Sequence, residues 1–258
     1  MCLVSGPYDI VALQRLRRAF AMDTIPQLTR TPTDVFIWSQ GEADRRDVTK
    51  IGGLPYRAAD RPWPIDVNGN PMTFVAQISF LDSRAVVPDL PGDILLLFNR
   101  AYRQGPEYEL YWGDGPLLEW VTVTETPLVS DIGVPSAQAH IMPCVGSIYS
   151  TWDYSESGDN KLPPPIKYLR VVEGTKIGGI CPNEDEWTIA HESLPGKFLC
   201  SLGSVSPPIH NSYPFLNVVK PIAWGTWRTA HALLIGDVGL IEIYMTDGGE
   251  LRWAMFTH

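Results

Sequence analysis

Thr49-Lys50-Ile51-Gly52-Gly53 and Thr175-Lys176-Ile177-Gly178-Gly179 are the same five residues met twice in one chain. Pro55 and Pro182 follow the two copies, then Trp63 and Trp187, and the step from each tryptophan to the next landmark, Phe74 or Phe198, is 11 residues. Each phenylalanine opens an apolar run, Phe74-Val75-Ala76-Gln77-Ile78 and Phe198-Leu199-Cys200-Ser201-Leu202. A Gly-Asp pair then precedes a second apolar run in both copies, at Gly92-Asp93 and Gly236-Asp237. An ordered set of landmarks is far harder to reach by chance than one shared pentapeptide. The chain therefore reads as two related halves.

The local patterns decide what those halves are made of. With 22 Gly and 23 Pro among 258 residues, the elements must be short and the turns many. Phe74–Leu81 alternates in the manner of a strand, Ile94–Phe98 is a continuous apolar run of strand length, and Leu118–Thr126 is rich in Val and Thr. Further strands are expected at Asp34–Trp38, Tyr108–Trp112, Tyr168–Val172, Phe198–Leu202, Gly239–Met245 and Leu251–Phe256. The last two flank Thr246-Asp247-Gly248-Gly249-Glu250, the clearest hairpin turn in the chain. One helix is expected from Pro7 to Met22, with Ile10, Leu13, Leu16 and Phe20 on one stripe and Arg15, Arg17 and Arg18 on the solvated surface. Gly41–Val48 is charged and loop-like, and residues 127–165 carry no clear pattern. Pro163-Pro164-Pro165 marks a natural boundary, since three prolines continue neither a helix nor a central strand.

The fold class is thus α+β and β-rich: two pseudo-symmetric antiparallel-sheet halves packed as one compact domain, with an N-terminal helix. Residues 1–33 form the helical segment and 34–258 the domain, divided into a first half (34–126), a connecting segment (127–165) and a second half (166–258).

The net charge of −9 is unevenly spread. Residues 1–61 hold nine Lys/Arg and seven Asp/Glu, the remainder eleven and twenty-two. Such an acidic body repels phosphate backbones and disfavours nucleic acid, while it suits a basic protein partner or simple solubility. No run approaches the roughly 20 apolar residues of a membrane span. The N-terminus has no basic segment leading into an apolar stretch. Cys2, Cys144, Cys181 and Cys200 form no CxxC pair. A cytoplasmic protein with reduced thiols is expected.

The first half resembles the YwqG-like family, a bacterial family of unknown function. The resemblance rests on Lys50-Ile51-Gly52-Gly53-Leu54-Pro55-Tyr56, Trp63-Pro64, Gly69 with Pro71, Phe74-Val75-Ala76-Gln77-Ile78 and Leu90-Pro91-Gly92-Asp93. The second half fits through Lys176-Ile177-Gly178-Gly179 and Gly236-Asp237-Val238-Gly239. It departs at Cys200-Ser201, where the family carries a glutamine. The resemblance implies a mostly β, pseudo-symmetric fold and a setting among toxin-immunity or interaction proteins. It implies no reaction.

The candidate residues fall into three groups. The Gly-Gly loops with Lys50 and Lys176 invite a phosphate reading, but the lysine precedes the glycines, a proline follows and no helix opens, so glycine's backbone freedom is the better reading. If a ligand cleft lies between the halves, Lys50, Gln77 and Lys176 are its candidates. Among the histidines His140, His191, His210, His231 and His258, His140 lies four residues from Cys144 and His191 ten from Cys181, but neither set supplies the paired, closely spaced ligands of a zinc site, so no metal and no cofactor is expected. Asp93 and Asp237, after matched glycines, are either paired carboxylates or turn residues, the second being the ordinary use. Partner binding has the most to work with: Trp152, Asp153, Tyr154, Glu156 and Asp159 in one aromatic–acidic stretch, and Glu184, Asp185 and Glu186 before Trp187 in another. Trp187 equally suits a core place like that of Trp63. The leading functional reading is a non-enzymatic, cytoplasmic protein-binding module of immunity type that masks a basic partner. The alternative is an enzyme or small-ligand protein using the cleft.

Overall fold

The computed structural model describes residues 10–26, 28–104, 107–124, 126–135, 141–156, 169–184, 193–205, 233–236 and 239–256. In chain order these contain helix α1 (Ile10–Ala19) and strands β1 (Leu28–Gln40), β2 (Lys50–Ile51), β3 (Thr73–Ser79), β4 (Ile94–Asn99), β5 (Ala101–Gln104), β6 (Glu107–Leu110), β7 (Leu117–Val121), β8 (Cys144–Glu156), β9 (Lys176–Gly178), β10 (Lys197–Gly203), β11 (Leu240–Met245) and β12 (Leu251–Phe256). The protein is β-rich, with antiparallel sheet and one short N-terminal helix among the described residues. No described helix is long and apolar enough to cross a membrane.

The chain divides into two compact units. One comprises the described residues of Met1–Phe36, Ile148–Gly203 and Leu240–Phe256; the other comprises those of Ile37–Ser147 and Ser204–Gly239. In the first unit the hydrogen-bonded order is β12-β11-β10-β9-β1, with the later part of β8 beside β1. In the second the order is the start of β8, then β2-β3-β4-β7, and β5 pairs with β6 as a separate hairpin.

The same ladder occurs in each unit. β2 pairs with β3, β3 with β4 and β4 with β7, as β9 pairs with β10, β10 with β11 and β11 with β12, all antiparallel. The register shifts between Phe74 and Ala76 in one ladder and between Phe198 and Cys200 in the other, so even the bulge is repeated. Just past the bulged strands, Phe80 N–H donates to Asp93 O at 2.8 Å and Ser204 N–H to Gly239 O at 3.0 Å. Asp93 therefore corresponds in register to Gly239, so the Gly-Asp landmarks are two residues out of step; Asp237 itself lies outside the described residues. Asp93 serves a turn, accepting from Val123 N–H at 2.8 Å and from Arg84 at 2.6 Å.

Burial follows from the apolar runs. Every residue of β3 and β4 is buried, and Ile94 through Phe98 are inaccessible to solvent. Burying each such side chain stabilises by about 1.5–3 kcal/mol. Tyr56, Phe74, Ile94, Leu96 and Phe98 form the cluster of the second unit, with Trp63 packed edge-on to Phe98 at 5.4 Å. In the first unit Leu13 of α1 packs against two clusters, Val35 with Val172, and Met22 with Tyr154 and Leu169.

Four expectations are corrected. β1 begins at Leu28, six residues before Asp34, and its Pro32 lies just before Thr33, the first residue in register with β9. β7 ends at Val121 and not Thr126. β8 is a 13-residue strand in a stretch that gave no pattern. Arg17, placed on the solvated surface with Arg15 and Arg18, is buried: its guanidinium bonds the carbonyls of Leu169 (2.7 Å), Arg170 (2.8 Å) and Trp152. The expected strand at 168–172 lies partly outside the described residues; its described part, from Leu169, is turn and bend.

Candidate functional site

Each repeated pentapeptide forms a short strand that runs into two left-handed glycines. Gly52 and Gly53 have φ of 60° and 67°, Gly178 and Gly179 of 65° and 77°. The threonine that opens each copy does the same work in both: Thr49 Oγ1 accepts Ser79 N–H at 2.9 Å, and Thr175 Oγ1 accepts Gly203 N–H at 3.1 Å. The lysine points inward. Lys50 and Lys176 are 1% and 0% exposed, which is rare for lysine unless its charge is matched.

A carboxylate from outside the motif matches each one. Glu42 Oε1 lies 2.6 Å from Lys50 Nζ, and Asp153 Oδ2 lies 2.5 Å from Lys176 Nζ. The second glycine of each pair makes room for that carboxylate. A Cβ on Gly53 would stand 1.6 Å from Glu42 Oε2, and one on Gly179 would stand 2.3 Å from Asp153 Oδ2. The Lys-x-Gly-Gly pattern is therefore a unit: the lysine supplies a buried cation, and the last glycine clears the approach of its counter-ion.

The two sites differ in depth. The Glu42 side chain is 42% exposed, so its pair is wet at one end. Asp153 is fully buried and also accepts from Val172 N–H (2.8 Å) and Ile180 N–H (3.0 Å), while Lys176 donates to Ile180 O (2.6 Å) and Arg17 stands 3.7 Å away. Burial lowers the pKa of Lys50, Lys176 and Arg17, and in each case the facing carboxylate opposes that shift.

Gln77 is the partner of Lys50 across β2–β3 and is fully buried. Its amide nitrogen donates to Arg46 O (2.6 Å) and Val48 O (2.7 Å), and its oxygen accepts Tyr56 N–H (2.8 Å). Gln77 thus stitches the chain before the glycine loop to the chain after it. Lys50 and Gln77 belong to one unit and Lys176 to the other, and the polar atoms of all three are engaged with neighbouring protein groups.

A second buried polar group lies beside Lys176. Glu242 accepts from Asn183 N–H (3.0 Å), Asn183 Nδ2 (2.9 Å), Cys181 Sγ (3.2 Å) and Tyr244 Oη (2.5 Å). Burial pushes the Cys181 thiol up to about 12 and the Cys144 thiol up to about 11, and it raises Cys200 and Tyr244 as well. A thiol so held is a poor nucleophile at neutral pH, because the thiolate is the reactive form.

The aromatic–acidic stretch divides between surface and interior. Trp152 is 42% exposed and Glu156 partly exposed, pairing with Arg170 at 3.5 Å. Asp153 and Tyr154 are buried, and Tyr154 Oη donates to Asp23 at 2.7 Å; neither presents a surface to a partner. Glu184 is exposed. Asp159, Asp185, Glu186, Trp187, Asp237, Cys2 and all five histidines lie outside the described residues. Among the described residues no three His, Cys, Asp or Glu side chains gather as metal ligands would. Sequence reasoning missed Glu42 and Glu242 and took Asp153 for a surface acid, because no carboxylate recurs at a matched place in the repeat.

Residues 49–116, which hold the first lysine loop, Gln77 and strands β2 to β6, match a family described as a domain of unknown function, DUF1963. No curated protein matches the chain.

Proposed function

We propose that this chain is a YwqG-like, cytoplasmic, non-enzymatic protein-binding module of immunity type that masks a basic partner. The observation that carries the reading is the outer face of β8, where Ile148, Ser150 and Trp152 are exposed at alternate positions while Thr151 and Asp153 turn inward. The Arg30 guanidinium lies over the Trp152 ring, 5.0 Å from its centroid. Tryptophan and arginine dominate interface hot spots, and a ring already held in place loses less freedom on binding. The net charge of −9 favours a basic partner by steering its approach. The engagement of Lys50, Lys176 and Cys181 in the interior is in keeping with a surface role.

The test is affinity capture from native cells with the wild-type chain, Trp152→Ala and Ile148→Ala in parallel, at low and physiological salt. The expected result is one stoichiometric basic protein on the wild type, weakened by salt and held at least about tenfold less well by Trp152→Ala, the loss of a hot-spot side chain. Capture of no protein, or equal retention by all three chains, overturns the reading.

A further inference from the structure

We infer that Ser201 and Glu242 together are the positioning residues of the second glycine loop, dividing between two strands the work that Gln77 does alone in the first. The register fixes the correspondence. Lys50 faces Gln77, which faces Leu96; Lys176 faces Ser201, which faces Glu242. The neighbouring rings agree, since Phe74 meets Phe98 edge-on at 5.7 Å and Phe198 meets Tyr244 edge-on at 5.8 Å.

Two of the three bonds of Gln77 then have counterparts. Gln77 Nε2 reaches the carbonyl of Val48, the residue just before Thr49; Ser201 Oγ reaches the carbonyl of Gly174, the residue just before Thr175, at 2.5 Å. Gln77 Oε1 accepts the N–H of Tyr56, the residue after Pro55; Glu242 Oε1 accepts the N–H of Asn183, the residue after Pro182. Serine is too short to reach past the loop to Asn183, so the acceptor has moved to the adjacent strand, where the first unit has Leu96. The missing glutamine of the second half is thus replaced in function by a pair that is invisible to a column-by-column comparison of the halves.

The replacement has a charge consequence. A neutral amide is exchanged for a buried carboxylate, so that Lys176, already paired with Asp153, also feels the charge of Glu242. Beside Gln77 the corresponding pair is Lys50 with the half-exposed Glu42.

The test is backbone hydrogen exchange at Asn183 in four full-length chains: wild type, Glu242→Gln, Glu242→Leu, and Ser201→Gln combined with Glu242→Leu. Wild type and Glu242→Gln, which keeps an acceptor oxygen, should protect the Asn183 amide to within about threefold of each other. Glu242→Leu should exchange at least about tenfold faster there. The double substitution recreates the Gln77–Leu96 pair and should recover most of that protection, with Cys181 and Tyr244, 3.1 Å apart, left to bond each other. A generic destabilisation predicts no such rescue. The inference is overturned if the double variant exchanges as fast as Glu242→Leu, if Glu242→Gln loses protection as Glu242→Leu does, or if Asn183 is unprotected in the wild type. Should Glu242→Leu fail to fold, recovery of a folded chain by the double variant supports the inference, and its failure to fold overturns it.

Discussion

Replacing Gly179 by alanine separates the two reasons for glycine in the repeated loop. Its φ of 77° lies in the left-handed region, which costs a side-chain-bearing residue about 1–2 kcal/mol. The new Cβ would also stand 2.3 Å from Asp153 Oδ2 and 2.8 Å from Thr33 Cβ. Asp153 has nowhere to go, because it is held by Lys176, Val172 N–H and Ile180 N–H with no exposure to water. Separating a buried pair costs about 3–5 kcal/mol, so the two effects together come to about 4–7 kcal/mol, a large share of the 5–15 kcal/mol typical of a folded chain. Gly249 supplies the control. Its φ of 81° is almost the same, yet a Cβ there meets nothing within 4 Å. Gly249→Ala should lose only the conformational part, about 1–2 kcal/mol. The assay is thermal unfolding of both variants beside the wild type, with urea titration as a check on the slope. A gap of about 3 kcal/mol or more corresponds to about 6–12 °C between the two midpoints for a chain of this size. Midpoints within about 2 °C of each other would refute the claim that the second glycine exists to admit the carboxylate.

Asp153→Asn should destabilise by about 3–5 kcal/mol, because it leaves two buried cations without their carboxylate, whereas Glu42→Gln should cost less, because water already reaches that carboxylate; urea midpoints decide it. Cys144, Cys181 and Cys200 should resist iodoacetamide in the folded chain at pH 8 and react only on unfolding, read by mass spectrometry of peptides, since burial pushes the first two thiols to about 11 and about 12. The Val123 N–H bond and Arg84 lower the Asp93 pKa in the fold. Its contribution is therefore present above the unfolded value near 4 and is lost as pH falls through the folded one. Asp93→Asn should accordingly be less stable than wild type at pH 7, with the gap closing as pH falls through the lowered value, measured by urea midpoints from pH 7 downward.

The legibility of the chain was uneven for physical reasons. The apolar runs Phe74–Leu81 and Ile94–Phe98 read directly as β3 and β4, because strands buried on both faces show themselves through composition. The turn at 246–250 read directly as well: Thr246 N–H bonds Glu250 O at 2.9 Å, with Gly249 the residue in the left-handed region. β8 did not, since its inward positions include Thr151 and Asp153, whose burial depends on partners from α1 and β9. The repeat announced the lysines and glycines but not their carboxylates, because Glu42 follows β1 and Asp153 sits within β8. Polar residues whose partners lie over 20 residues away in sequence, as Asp153 and Lys176 do, leave no local pattern. For the same reason Arg17 looked like one more surface charge beside Arg15 and Arg18.

The claim that the repeated lysines are internal counter-ions, and not ligand-binding groups, is tested most directly by amine labelling of the native chain. Reductive methylation followed by peptide mass spectrometry, with and without inorganic phosphate, compares Lys50 and Lys176 with exposed Lys197. The expected result is full labelling of Lys197, little or none of Lys50 and Lys176, and no effect of phosphate on any of the three. Labelling of Lys50 or Lys176 at the rate of Lys197, suppressed by phosphate, would contradict it and return the glycine loops to the status of anion sites.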